Sequence, residues 1–197
     1  MESRITRRLR RNRRRAFIQS YAFPSALADK LREHFDDERQ VDVALEGLRE
    51  WYLACLSAPG EVLGMPSKAV DIAWHEMILM TRTYHSFCER AYGHYLHHSP
   101  EPVMAEPMRP TLARTLQVLE GQSPTLVGVP LLFTVDGELG IDGGFFWEEH
   151  EVDQLRQEHD ALNRTARYQN FHPGCAGGGG GCATVGGGGG GGCGAGG

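Results

Sequence analysis

Apolar residues return every three or four positions in segment after segment between residues 24 and 166, and that spacing points the chain to a helical fold. Leu27, Leu31 and Phe35 form one stripe, behind a Pro24 suited to a first helical turn. Val41, Ala44, Leu45, Leu48, Trp51, Tyr52 and Cys55 form a longer stripe over 40–57, in which Cys55 reads as a small core residue. Ser67 is suited to cap a helix over 68–80, with Val70, Trp74, Met77 and Ile78 on its apolar side. Leu112, Leu116 and Leu119 mark a short helix over 110–120 closed by Gly121. Val152, Leu155, His159, Leu162 and Ala166 share one face of a helix over 148–166. The segment PLLFTVDGELG at 130–140 fits two forms, a helix opened by Pro130 or a hairpin turning at Asp136-Gly137; the helix is preferred. Prolines 100, 102, 107 and 110 predict a long loop, and 140–147 a loop whose Phe145, Phe146 and Trp147 pack on the body.

The two ends differ from this middle. Residues 1–15 hold eight arginines (4, 7, 8, 10, 11, 13, 14 and 15) against Glu2, so about +7 sits on a chain whose net charge is −5. Residues 4–20 can form a helix, but eight like charges repel, and a frayed, solvated arm is the simplest expectation. Its chemical alternative is contact with something anionic: nucleic acid, a membrane surface, or the acidic remainder of the same chain. From Gly174 onward the chain is nearly all glycine with Cys175, Cys182 and Cys193, a composition that cannot bury enough surface to offset its ordering entropy. Those cysteine spacings match no zinc knuckle or ribbon. The expected fold is mainly α: a basic arm over 1–20, one multi-helix domain over 21–170 with a helical hairpin at its centre, and a disordered Gly/Cys-rich tail over 171–197. No apolar run reaches the roughly 18 residues of a membrane span, and no apolar segment follows the arginines as in a secretory signal. The expected location is the cytoplasm, with Cys55 and Cys88 reduced. Eighteen arginines against two lysines suggest a GC-rich coding genome, and so a bacterium.

Side chains able to do chemistry concentrate in residues 65–100, which carry His75, His85, His94, His97, His98 and Cys88. Asp71 lies four residues before His75. An acid there can hold one imidazole nitrogen and leave the other free to ligate or act as a base; the plainer alternative is a helix-surface pair. On one straight helix His75 and His97 would stand roughly 33 Å apart. A break near 80–83, where Thr81 can cap a new helix, would instead give a hairpin of 68–80 and 82–94. Tyr84, Cys88 and Tyr92 would then line one face, with His94, His97 and His98 just beyond Gly93.

The run VDIAWHEMIL, followed by Tyr84, Cys88, Tyr92-Gly93 and His97-His98, resembles the core motif of the glycine-rich domain-containing protein-like family. It departs from that pattern at Met77, where many members carry a second histidine. The resemblance is strong over 65–100 and looser over 22–145. It implies a helical domain, often with a glycine-rich tail, and no established reaction.

Three functions fit these residues. The first is a binding or scaffold domain for an unidentified protein partner, with the histidines, Cys88, Trp74 and Tyr84 forming a hydrogen-bonded polar core. The second is a zinc site on His75, Cys88, His97 and His98, with Asp71, Trp74 and Tyr84 supporting it and metal-assisted hydrolysis open to it. The third is nucleic-acid or anionic-surface association through Arg7, Arg8, Arg10, Arg11, Arg13, Arg14 and Arg15. No serine triad, phosphate-binding loop or dinucleotide fingerprint is present.

Overall fold

The computed structural model describes residues 4–98, 107–122 and 128–171, with side chains given for 5–161 of these. Among the described residues there are eight helices and no strand: α1 Arg4–Gln19, α2 Ser25–Leu31, α3 Glu38–Ser57, α4 Lys68–Leu79, α5 Thr81–Ala91, α6 Met108–Gln122, α7 Leu131–Leu139 and α8 Glu149–Phe171. The chain divides into two compact units, 1–162 and 163–197. The glycine tail and most of the proline loop lie outside the described residues. No described helix is long and apolar enough to cross a membrane.

Helix α3 is the central strut of the first unit and packs against α1, α4, α6 and α7. Its apolar stripe is buried through Val41, Ala44, Leu48, Trp51 and Tyr52. Gly47 allows α4 and α7 to come close: a Cβ there would lie 2.5 Å from Val70 Cγ2 and 3.2 Å from Val135 Cγ2. Asp37 caps α3 by accepting the Gln40 N–H at 2.8 Å.

The basic segment is not left to solvent along its whole length. Helix α1 packs on α3 and α5, with Ile18 buried and the rings of Phe17 and Tyr21 tilted against Phe87. Arg49 of α3 closes its C-terminal end, donating to the carbonyls of Ile18 at 2.7 Å and Tyr21 at 2.9 Å. The expectation of a wholly frayed arm is therefore corrected: the apolar residues at its C-terminal end fix the helix to the body, although Ile5 and Leu9 remain exposed.

The central hairpin breaks at Met80, whose ψ of 56° ends α4 and starts α5. Thr81 is the first helical residue of α5 rather than its cap. The second arm stops at Ala91, because Gly93 takes a φ of +77° and donates its N–H back to Glu89 at 3.0 Å. Segment 130–140 is helix, not hairpin, and Asp136 is buried within it. Its carboxylate accepts four hydrogen bonds: Ser67 Oγ at 2.6 Å, Lys68 N at 2.7 Å, Ala69 N at 3.0 Å and Phe145 N at 2.8 Å. Three of these donors belong to the N-terminal end of α4, which also carries the positive end of the helix dipole. Pro110 sits in the first turn of α6, where proline costs no helical hydrogen bond, so the proline loop ends earlier than expected.

Glu50 of α3 accepts the Leu132 N–H at 2.6 Å, at the start of α7. Burial raises its carboxyl above the ordinary glutamate range, and the Leu132 bond partly offsets that rise.

Three outcomes are expected. Asp136→Ala leaves the buried donors around α4 without their acceptor and should cost about 3 kcal/mol or more in urea unfolding. Gly47→Ala gains about 1 kcal/mol of helix propensity but forces a methyl onto a stiff valine, costing about 1–3 kcal/mol; net destabilisation is expected, and a stabilised protein would refute the close approach. Glu50 binds its proton more tightly when folded, so its contribution favours folding at acid pH and is lost as pH rises through the folded pKa. From about pH 4 upward, Glu50→Gln should lose less stability than the parent; equal slopes would show that Glu50 is not perturbed.

Candidate functional site

Trp74, one turn from the end of α4, donates its indole N–H to Tyr84 Oη at 3.0 Å, and Tyr84 in turn donates to the Leu96 carbonyl at 2.7 Å. This relay ties both arms of the hairpin to the segment that leaves α5. Tyr84 also packs edge-on to Tyr95, and Tyr92 Oη donates to the Tyr52 carbonyl at 3.0 Å. The segment after Gly93 is thereby laid back across α4.

That return brings His98 to Asp71. His98 Nε2 lies 3.1 Å from Asp71 Oδ1, and its ring meets Trp74 edge-on at 4.6 Å and the His75 ring at 4.3 Å. His75 Nδ1 lies 2.7 Å from the Asp71 carbonyl and 3.3 Å from Asp71 Oδ2. The carbonyl can only accept, so Nδ1 is the donor in that contact. Asp71, His75 and His98 each offer a ligand atom, and these atoms lie within 4.8 Å of one another. His98 is the most enclosed of the three and His75 the most open.

The other residues singled out in the sequence fall elsewhere. Cys88 is fully buried, and burial raises its thiol, partly offset by the Leu96 backbone and the Tyr84 hydroxyl. His97 is exposed, and its ring lies tilted against Tyr95 at 4.9 Å. Neither belongs to the group around Asp71. Cys55 is partly buried against the core, and burial raises its thiol strongly.

The group opens onto a cleft of about 940 Å³. Arg7, Arg10, Arg11 and Arg14 form part of its lining, and their spacing places them on one face of α1. Arg11 Nη2 donates to the Ser57 carbonyl at the end of α3, 3.4 Å away. The Arg14 guanidinium occupies the space that a Cβ on Gly93 would need. Arg15 points away, to Gln122 Oε1 at 3.2 Å, and Arg8 and Arg13 are exposed outside the cleft lining. The 7/10/11/14 periodicity was visible in the sequence, but not the side of α1 that would face the body. Asp136 carried no local signal at all, since its partners other than Phe145 lie near residue 67.

No curated protein and no solved structure matches the chain. One family model does, over residues 13–171, and its description, UCP032817-like, names no reaction. This corrects the resemblance drawn from the W-H motif to the glycine-rich domain-containing protein-like family. The match ends at Phe171, before the glycine tail, so it is the helical body and not the tail that defines the kinship. With about four-fifths of its length inside that match, the chain belongs to the UCP032817-like family.

Proposed function

We propose that this helical domain binds a divalent transition-metal ion, zinc foremost, on Asp71, His75 and His98 at the wall of the cleft. The observation that carries this is the convergence of the three ligand atoms within 4.8 Å, across a hairpin and its return segment. Ligands about 2.0–2.2 Å from a tetrahedral zinc stand roughly 3.3 Å from each other, close to the 3.1 Å between Asp71 Oδ1 and His98 Nε2. The Asp71 carbonyl orients the His75 ring as supporting groups orient metal-bound imidazoles elsewhere. Two imidazoles and one carboxylate are borderline-to-hard donors suited to zinc or ferrous iron. A three-ligand set leaves a coordination position open, and hydrolysis by a metal-bound water is the chemistry such a position offers. Cys88 takes no part: a raised thiol deep in the core is a poor source of thiolate. In this reading the basic segment 1–20 works as one wall of the cleft of domain 21–170, and residues 171–197 are dispensable for it.

A binding domain without metal chemistry is the second reading. It is favoured by the Trp74–Tyr84–Leu96 relay, which is complete in itself and supports the hairpin whatever the histidines hold.

Elemental mass spectrometry on the full chain, with Cys175, Cys182 and Cys193 replaced by serine, should find about one zinc per chain. His98→Ala and Asp71→Asn should each weaken zinc binding by at least about tenfold, while Cys88→Ala retains it. Zinc that persists undiminished in both variants, or its absence after equilibration with excess zinc, would leave the second reading standing.

A further inference from the structure

We propose that the cleft is a site for a small organic anion: a phosphate or carboxylate head held by the arginine face of α1, on an aliphatic or aromatic body lying against the cleft's apolar floor. The proposal goes beyond the metal reading and does not require it. Its head site and the Asp71 group are different parts of one lining.

The volume, about 940 Å³, falls within the range of small-molecule sites. The lining is of two kinds. Trp51, Trp74, Leu56, Met65 and Met108 give it an apolar surface, and the two methionines can adapt to an irregular partner. Arg7, Arg10, Arg11, Arg14 and Lys68 give it five cations, against the carboxylates of Glu61 and Asp71. Glu61 is itself engaged, 3.5 Å from Arg114. A chain of net charge −5 thus gathers positive charge at one concavity. Low-dielectric walls focus such a field on an incoming anion.

Arg14 is the most telling of these side chains. It is partly buried, and its guanidinium makes no hydrogen bond or ion pair with the described residues. It lies in the space left by Gly93, a residue already required there by its positive φ. A guanidinium at the cleft wall with no acceptor among the described residues keeps its donors open to an incoming anion. A phosphate or carboxylate supplies that acceptor in a bidentate, charge-assisted pair. Arg11, one turn away on the same face, is held near the cleft by the Ser57 carbonyl. A polynucleotide would instead engage the arginines outward, including Arg8 and Arg13, and has no use for the apolar floor.

The test is isothermal titration of the full chain, freed of metal by chelation, with octyl phosphate below its micelle concentration. Octanol and inorganic phosphate are run beside it. Octyl phosphate should bind at least about tenfold more tightly than either fragment, because it alone uses both surfaces. Arg14→Gln and Arg11→Gln should each weaken it by about tenfold, with unchanged thermal unfolding. Arg39→Gln, exposed on α3 and outside the cleft, should not weaken it. Octyl phosphate no tighter than its fragments, or equal weakening by Arg39→Gln, would overturn the proposal. So would a single-stranded RNA whose binding Arg13→Gln weakens as much as Arg14→Gln. Binding that survives chelation while zinc content proves nil would sink the metal reading and leave this one intact.

Discussion

A single carboxylate fixes where the first turn of α4 begins. Asp136 is buried, and a buried charge survives only when its lone pairs are filled. Here they are filled by the Ser67 hydroxyl and the backbone N–H groups of Lys68, Ala69 and Phe145. The Ser67 hydroxyl in turn accepts the Val70 N–H at 3.1 Å, so the cap and the carboxylate act as one unit. The positive end of the helix dipole adds to the attraction. Because several bonds of fixed direction converge on one group, α4 has little freedom to rotate or slide. Asp71, Trp74 and His75, within two turns of that anchor, inherit their positions from it.

The second constraint acts from the other side. A helix can present Asp71 and His75 together through its own periodicity, but a third group must come from elsewhere. Met80 breaks the helix, Gly93 ends its second arm with a positive φ, and the Trp74–Tyr84–Leu96 relay pulls the outgoing segment back over α4. Every polar atom in that relay is paired, as a buried network must be if it is to hold one arrangement. The tyrosines and tryptophan of this stretch thus act as structure. Their work is to bring the His98 imidazole to 3.1 Å from Asp71.

Much of the helical framework was legible because it is local. The stripe from Val41 to Cys55 predicts 40–57, and the helix runs Glu38–Ser57; Ser67 predicts and makes the cap of α4. What stayed ambiguous or was misread has a common cause in long-range partners. Asp136-Gly137 also fits a turn when its neighbours alone are considered; the helix preferred for 130–140 is the form observed, and the partners at 67–69 and 145 that hold Asp136 inside it lie beyond the reach of local pattern. The arginines of α1 repel one another in isolation, and Ile18, Phe17 and Tyr21 dock the helix because Arg49 and Phe87 are there to receive them. The stretch 65–100 offered His75 and His98 as ligands beside Cys88 and His97, with Asp71 as a supporting group; the structure groups Asp71, His75 and His98. Which of two adjacent histidines would face Asp71 depends on the path taken after Gly93, and neighbouring side chains in such a segment point apart.

Charge and shape meet in the cleft in a way that composition conceals. Summed over the chain, the arginines are outweighed and the protein is acidic. Folding sorts them: Arg49 caps a helix, Arg15 finds Gln122, Arg156 pairs with Glu120, and four arginines of α1 are turned to one hollow beside tryptophan and methionine. Gathering like charges on one helix face is unfavourable by itself. It is tolerated where the apolar contacts and the Arg49 cap hold the other end of the helix down. A cationic wall maintained against its own repulsion, beside two imidazoles and a carboxylate, is an arrangement that a negatively charged ligand would stabilise and a neutral one would not.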